Sequence, residues 1–115
     1  MWNKPTEKQL NALPKFYSTE NIKAENKIIK MHFFMGGSDW YIAEYDPESR
    51  QFFGYAVING DDQMGEWGYV SYDELLQIKM GFQEVDRDLH WTPKKFKDII
   101  PMGLRKKVER ADRVH

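Results

Sequence analysis

The sequence predicts an α+β fold: an antiparallel four- to five-stranded meander with short flanking helices, in a single layer of helix on sheet. Three observations carry this. Apolar and aromatic residues recur with period two between Ile28 and Val70, the signature of strands with one buried face. Polar turn clusters separate these runs by too few residues for crossover helices, so neighbouring strands must run antiparallel. Helix-start signals then bracket the strand region at Thr6 and Ser71.

Each element follows in order. Thr6-Glu7-Lys8-Gln9 has capping-box spacing and opens a short helix that places Leu10 and Leu13 on one face and stops at Pro14. Residues 15–27 are polar and lack periodicity, which reads as a long surface connection of the kind that is mobile or functional. Ile28 to Phe34 is a first strand, turned at Gly36-Gly37-Ser38, and Trp40 to Tyr45 is its return, stopped at Asp46-Pro47-Glu48-Ser49. Phe52 to Ile58 is a third strand, with Gly54 as a bulge or close-approach point. After the polar loop Asn59 to Gln63, Glu66 to Val70 is a fourth. Ser71-Tyr72-Asp73-Glu74 switches the chain to a helix through Leu75, Leu76 and Ile78, for which Gly81 is the natural stop. Asp86 to Trp91 is a fifth extended segment. Thr92-Pro93 then reads as the start of a helix running toward Ile100 and closed by Pro101.

With 115 residues the chain has the size of one domain, and it divides into an α+β domain over 1–103 and a charged tail over 104–115, either helical or disordered. Its 4 Trp, 6 Tyr and 7 Phe supply a dense core without a staple. There is no cysteine, which excludes disulfides, thiolate metal sites and cysteine nucleophiles and fits a reducing compartment. Met1-Trp2-Asn3-Lys4-Pro5 lacks a signal-peptide run, and no apolar stretch approaches the ~20 residues needed to span a bilayer. A cytoplasmic protein with no membrane partner is expected. The net charge of −1 hides a segregation, with basic ends around a strongly acidic centre over residues 39–88.

The strands also carry a resemblance. Lys30-Met31-His32-Phe33-Phe34, Trp40-Tyr41-Ile42-Ala43-Glu44, Phe52-Phe53-Gly54-Tyr55, Gly65-Glu66-Trp67-Gly68-Tyr69-Val70-Ser71 and Asp86-Arg87-Asp88-Leu89-His90-Trp91 resemble, in order and spacing, a bacterial domain-of-unknown-function family, the one numbered 2958. The likeness covers roughly residues 10–95, and Glu66-Trp67-Gly68-Tyr69 before a serine-capped helix is its most specific part. The chain departs at Val85-Asp86, where members tend to carry glutamate directly before the arginine. The resemblance implies no chemistry. It implies a small accessory protein of bacterial plasmids, integrative elements or phages, and with that a role in interference with host defence.

Enzymatic templates are missing: there is no Walker-type loop, dinucleotide fingerprint or Gly-x-Ser-x-Gly elbow, and Ser71 is better explained as a helix cap. No cofactor is expected. Asp86, Asp88 and His90 alternate, so they would share a strand face and could bind a divalent ion, with Glu44 or Asp46 as a further ligand; the plainer reading is a solvated face opposite Leu89 and Trp91. Alternation also places Arg87 beside Leu89 and Trp91, and Glu44 beside Trp40 and Ile42. A bidentate ion pair between Arg87 and Glu44 is therefore expected, with Glu66 as the competing acceptor, unless one strand register is off by one. Lys94, Lys95, Lys97, Arg105, Lys106, Lys107, Arg110 and Arg113 form a basic end that could touch nucleic-acid phosphates, a reading opposed by the acidic centre. Asp61, Asp62, Glu66, Trp67, Tyr69, Asp73 and Glu74 form a candidate surface for a protein partner. With the catalytic templates empty, a non-enzymatic protein-binding factor is the leading expectation, ahead of a metal-dependent enzyme using Asp86, Asp88 and His90 and of a nucleic-acid binder.

Overall fold

The period-two run folds as expected into a meander, seen here in a computed structural model that describes residues 1–61 and 64–99. Four consecutive strands, β2 (Met31–Met35), β3 (Ser38–Asp46), β4 (Gln51–Val57) and β5 (Glu66–Ser71), pair antiparallel in chain order. A later strand, β8 (Asp86–Arg87), adds to β2, giving the five-stranded order β5-β4-β3-β2-β8. Before the meander come α1 (Glu7–Asn11) and β1 (Ile28–Ile29); after it come α2 (Tyr72–Gln77), the hairpin of β6 (Lys79–Met80) and β7 (Gln83–Glu84), and β9 (Lys94–Lys95), which pairs with β1.

Local signals account for the helices. The Thr6 hydroxyl accepts from the Gln9 N–H while the Gln9 side chain accepts from the Thr6 N–H, so both halves of the capping box are present. Ser71 accepts from the Glu74 N–H at 3.1 Å and starts α2. Both helices bury their apolar side against one sheet face, where Leu10, Leu13, Tyr72 and Leu75 pack on Phe33, Trp40, Ile42, Tyr45 and Phe52. The other face has a smaller core of Ile29, Ala43, Tyr55, Val57 and Phe96, with Tyr41, Trp67 and Trp91 at its margin. A meander covered on both faces explains why so few of its strand residues are fully exposed.

Three segments differ from the sequence expectation. The first strand breaks at Lys30, whose N–H donates to the Ile42 carbonyl, so that Ile28–Ile29 leaves the main sheet to pair with β9. The helix expected after Thr92-Pro93 is instead β9 followed by a 3₁₀ turn at Phe96–Asp98, because the Phe96 N–H donates to the Lys27 carbonyl and the Phe96 ring is buried between Tyr55 and Trp67. Tertiary pairing overrides the proline signal there. Gly81 does not end α2, which stops at Gln77. With φ +59° it makes the tight turn between β6 and β7, a backbone state that favours glycine. The expected helix end at Ile100-Pro101 and the tail 104–115 lie outside the described residues.

The bulge sits in β3, not at Gly54. Ile42 faces Gly54 while Glu44 faces Phe53, so Ala43 is the extra residue and the pleat inverts. Gly54 marks a close approach instead: a Cβ there would lie 2.2 Å from the Tyr41 carbonyl oxygen.

Candidate functional site

The bulge decides the fate of Glu44. Without it Glu44 would share the face of Trp40 and Ile42; with it, Glu44 turns to the side of Phe53, Trp67 and Tyr69. There it is 4% exposed and its carboxylate accepts from the Tyr17 N–H at 3.0 Å, the Thr19 N–H at 3.1 Å and the Thr19 hydroxyl. The buried Lys27 ammonium donates to the same Thr19 hydroxyl at 3.0 Å, so a lysine, a threonine and a glutamate form a relay holding the 15–27 segment on the sheet. Arg87 lies two strands away, opposite Phe33 on the other face, and its Nε donates to the Asn3 carbonyl at 2.8 Å. Glu66 is exposed at the start of β5. The expected pair of Arg87 with Glu44 or Glu66 does not form, because one inserted residue exchanged the faces.

Asp86, Asp88 and His90 do not converge either, since the strand ends at Arg87 and the chain turns at Leu89-His90. Asp86 accepts from the Asn3 side-chain amide at 2.7 Å. Asp88 accepts from the His90 N–H at 3.0 Å and faces Nδ1 of His32 at 3.1 Å. Among the described residues no group of three or more His, Asp or Glu side chains is arranged to hold a metal ion.

What the sequence reading missed is His32. Its Nε2 lies 2.8 Å from Asp39 and its Nδ1 faces Asp88, while its ring stacks on Tyr41 at 4.8 Å and 7°. The imidazole is thus held edge-on between two carboxylates while its face lies against the Tyr41 ring. The ring is 12% exposed and both nitrogens are engaged, which makes it a pin joining β2, β3 and the segment after β8. Counting outward from the two-residue turn Gly36-Gly37 sets His32 opposite Tyr41 and diagonal to Asp39, so half of this pin was readable.

Burial pushes the Asp88 carboxyl up, but the His32 hydrogen bond and the His90 N–H outweigh it and hold the group below its ordinary range. A carboxyl depressed on folding contributes stability that is present above its unfolded pKa, about 3.9, and lost as pH falls through the folded value. Asp88→Asn should therefore show a shallower loss of urea midpoint than the parent chain as pH is lowered from neutrality to about 3. Parallel curves would remove Asp88 from the acid response.

The candidate interaction surface gathers along β5. This strand is a sheet edge: among the described residues no strand pairs on its outer side. The opposite edge, β8, is covered, since the Trp2 N–H donates to the Val85 carbonyl and the Arg87 N–H to the Trp2 carbonyl. Tyr69 is 56% exposed and its hydroxyl meets that of Tyr17 at 3.5 Å, next to the Phe16 ring. Trp67 is half-buried against Phe96, so it belongs to the core margin more than to the surface. Asp61 and Glu66 lie at one end of the strand and Asp73 and Glu74 at the other. Asp73 is held by the Arg50 Nε at 2.9 Å. Asp62 lies outside the described residues. Of the basic end, Lys94 sits 4.5 Å over the Trp91 ring, Lys95 is exposed and Lys97 half-buried; the arginines and lysines from 105 to 113 are outside the described residues.

The fold and this surface together define a small α+β protein, an antiparallel meander whose candidate site is a strand edge and not a cleft. A family model described as a protein of unknown function, DUF2958, matches residues 4–98, and the chain belongs to that family. No curated protein and no solved structure matches it. No helix among the described residues is long and apolar enough to cross a membrane.

Proposed function

We propose that this protein is a non-enzymatic binding module that pairs its β5 edge with an extended, basic segment of a protein partner and thereby occludes it. The observation that supports this reading is the asymmetry of the two sheet edges. Natural sheets blunt an exposed edge with proline, lysine, a bulge or a covering segment. The β8 edge has its cover, while β5 runs six residues in unbroken register, Glu66-Trp67-Gly68-Tyr69-Val70-Ser71, without proline or lysine. Strand addition takes its affinity from main-chain hydrogen bonds and its selectivity from flanking side chains. Here the flanks are the exposed carboxylates of Asp61 and Glu66 at one end and of Glu74 at the other, which favour lysine and arginine at both ends of an incoming strand. The family resemblance favours a setting in the bacterial cytoplasm, as an accessory factor of a mobile element or phage acting against a host defence system.

Gly68 provides the test. A Cβ at this position meets nothing within 4 Å, so a side chain can begin there without a clash, and Gly68→Lys adds a positive charge to the edge. The full chain is mixed with a short synthetic peptide of alternating valine and threonine capped by lysine pairs, and amide exchange is followed residue by residue. Protection should appear in Glu66–Ser71, weaken about tenfold when the capping lysines are exchanged for glutamates, and disappear in Gly68→Lys, whose melting temperature should match the parent. Equal protection by both peptides would remove the charge argument, and unprotected β5 amides at millimolar peptide would remove the reading itself.

A further inference from the structure

A second site lies on the other side of the molecule, where α1 approaches the outer strands. A cavity of about 290 Å³ opens there, floored by Leu13 and Met31 and bordered by Leu89, Lys30, Arg87 and Asp88. Its size is at the lower end of small-molecule sites and corresponds to roughly ten waters.

The charges around it do not balance. Asp88, the carboxylate on its wall, is already engaged by His32 through one oxygen and by the His90 N–H through the other. Arg87 spends its Nε on the Asn3 carbonyl, and its two terminal amino groups have no carboxylate within 4 Å among the described residues. The Lys30 side chain likewise makes no hydrogen bond or ion pair among the described residues, although its backbone is fixed by the Ile42 carbonyl. The exposed Lys30 and the half-buried Arg87 therefore bring two positive charges, neither with a carboxylate partner among the described residues, to the cavity that Leu13 and Met31 also line. Arginine's planar fork matches a carboxylate with two parallel hydrogen bonds, and lysine adds a point charge that accepts many directions. Leu13 and Met31 belong to the buried core cluster, which fixes the apolar side of the cavity in place.

We infer that this cavity binds a small organic carboxylate with a compact apolar body, its carboxylate held between Arg87 and Lys30 and its body on Leu13 and Met31. The site is separate from the β5 edge and stands without it.

Three probes resolve the chemistry: benzoate, its neutral isostere benzamide, and inorganic phosphate, each titrated into the full chain and followed by amide chemical shifts. Benzoate should move Leu13, Met31 and Leu89 saturably, benzamide should leave them still, and phosphate should bind at least tenfold more weakly for want of an apolar body. Arg87→Gln and Lys30→Gln should each weaken benzoate about tenfold. Lys30 is exposed, so its variant should melt with the parent, which separates lost binding from lost folding even if Arg87→Gln loosens its contact with Asn3. Benzamide equal to benzoate would show an apolar pocket indifferent to charge, phosphate equal to benzoate would show an unselective anion site, and benzoate without saturable shifts would show no site. Each of these overturns the assignment.

Discussion

Glu44→Ala should destabilise the protein by about 3–5 kcal/mol, a large fraction of the stability of a domain this size. The carboxylate is buried and accepts three hydrogen bonds from Tyr17 and Thr19, and hydrogen bonds to a charged acceptor contribute about 1.5–3 kcal/mol each before relaxation. Its removal orphans two backbone N–H groups and takes away the acceptor of the Thr19 hydroxyl, which itself accepts from the buried Lys27 ammonium. Water entering the gap can solvate part of this, which places the effect below the simple sum. Glu44→Gln keeps one carbonyl acceptor and should lose roughly half as much. Urea midpoints give the size, and hydrogen exchange gives the place: amides of residues 15–20 should open in the variant while β3 and β4 stay protected. A loss below about 1 kcal/mol, with those amides as slow as before, would mean the relay is not what holds the segment.

The second large effect is expected at Gly54. A Cβ there would meet the Tyr41 carbonyl oxygen at 2.2 Å, the Tyr41 carbonyl carbon at 3.0 Å and the Ile42 Cα at 3.1 Å. All three are backbone atoms of the neighbouring strand, so no side chain can swing aside. Relief requires β3 and β4 to separate next to the bulge that aims Glu44. Overpacking usually costs 1–3 kcal/mol where side chains can yield, and here Gly54→Ala should cost at least about 3 kcal/mol, or more than about 10 °C in Tm. The fold supplies its own control. Gly68 lies directly opposite Gly54 in the β4–β5 register with open space around it, so Gly68→Ala should be neutral or slightly stabilising through reduced unfolded-chain freedom. Similar Tm values for the two alanine variants would contradict the close approach.

These two residues show where legibility ends. The strand boundaries of β3, β4 and β5, the caps at Thr6 and Ser71 and the meander order were readable because each depends on neighbours a few residues apart. Gly54 was readable as a special position, though not as which of two kinds. Glu44 was read as charged and facing inward, and it is, but on the wrong face: Ala43 gives no local sign that it is the extra residue of a bulge. The error carried forward to Arg87, whose partner became the Asn3 carbonyl. Likewise Asp88 was grouped with Asp86 and His90 by spacing, whereas its ring partner, His32, stands 56 residues earlier in the chain.

Period-two hydrophobicity, turn chemistry and caps act within a few residues, so they specify which segments extend, which coil and that the extended ones run antiparallel. Which carboxylate meets which donor, which edge of the sheet stays open and where two cations are left facing an apolar floor all depend on contacts between distant segments. A single residue inserted in one strand reverses every face beyond it, and nothing short of the assembled sheet reports that reversal.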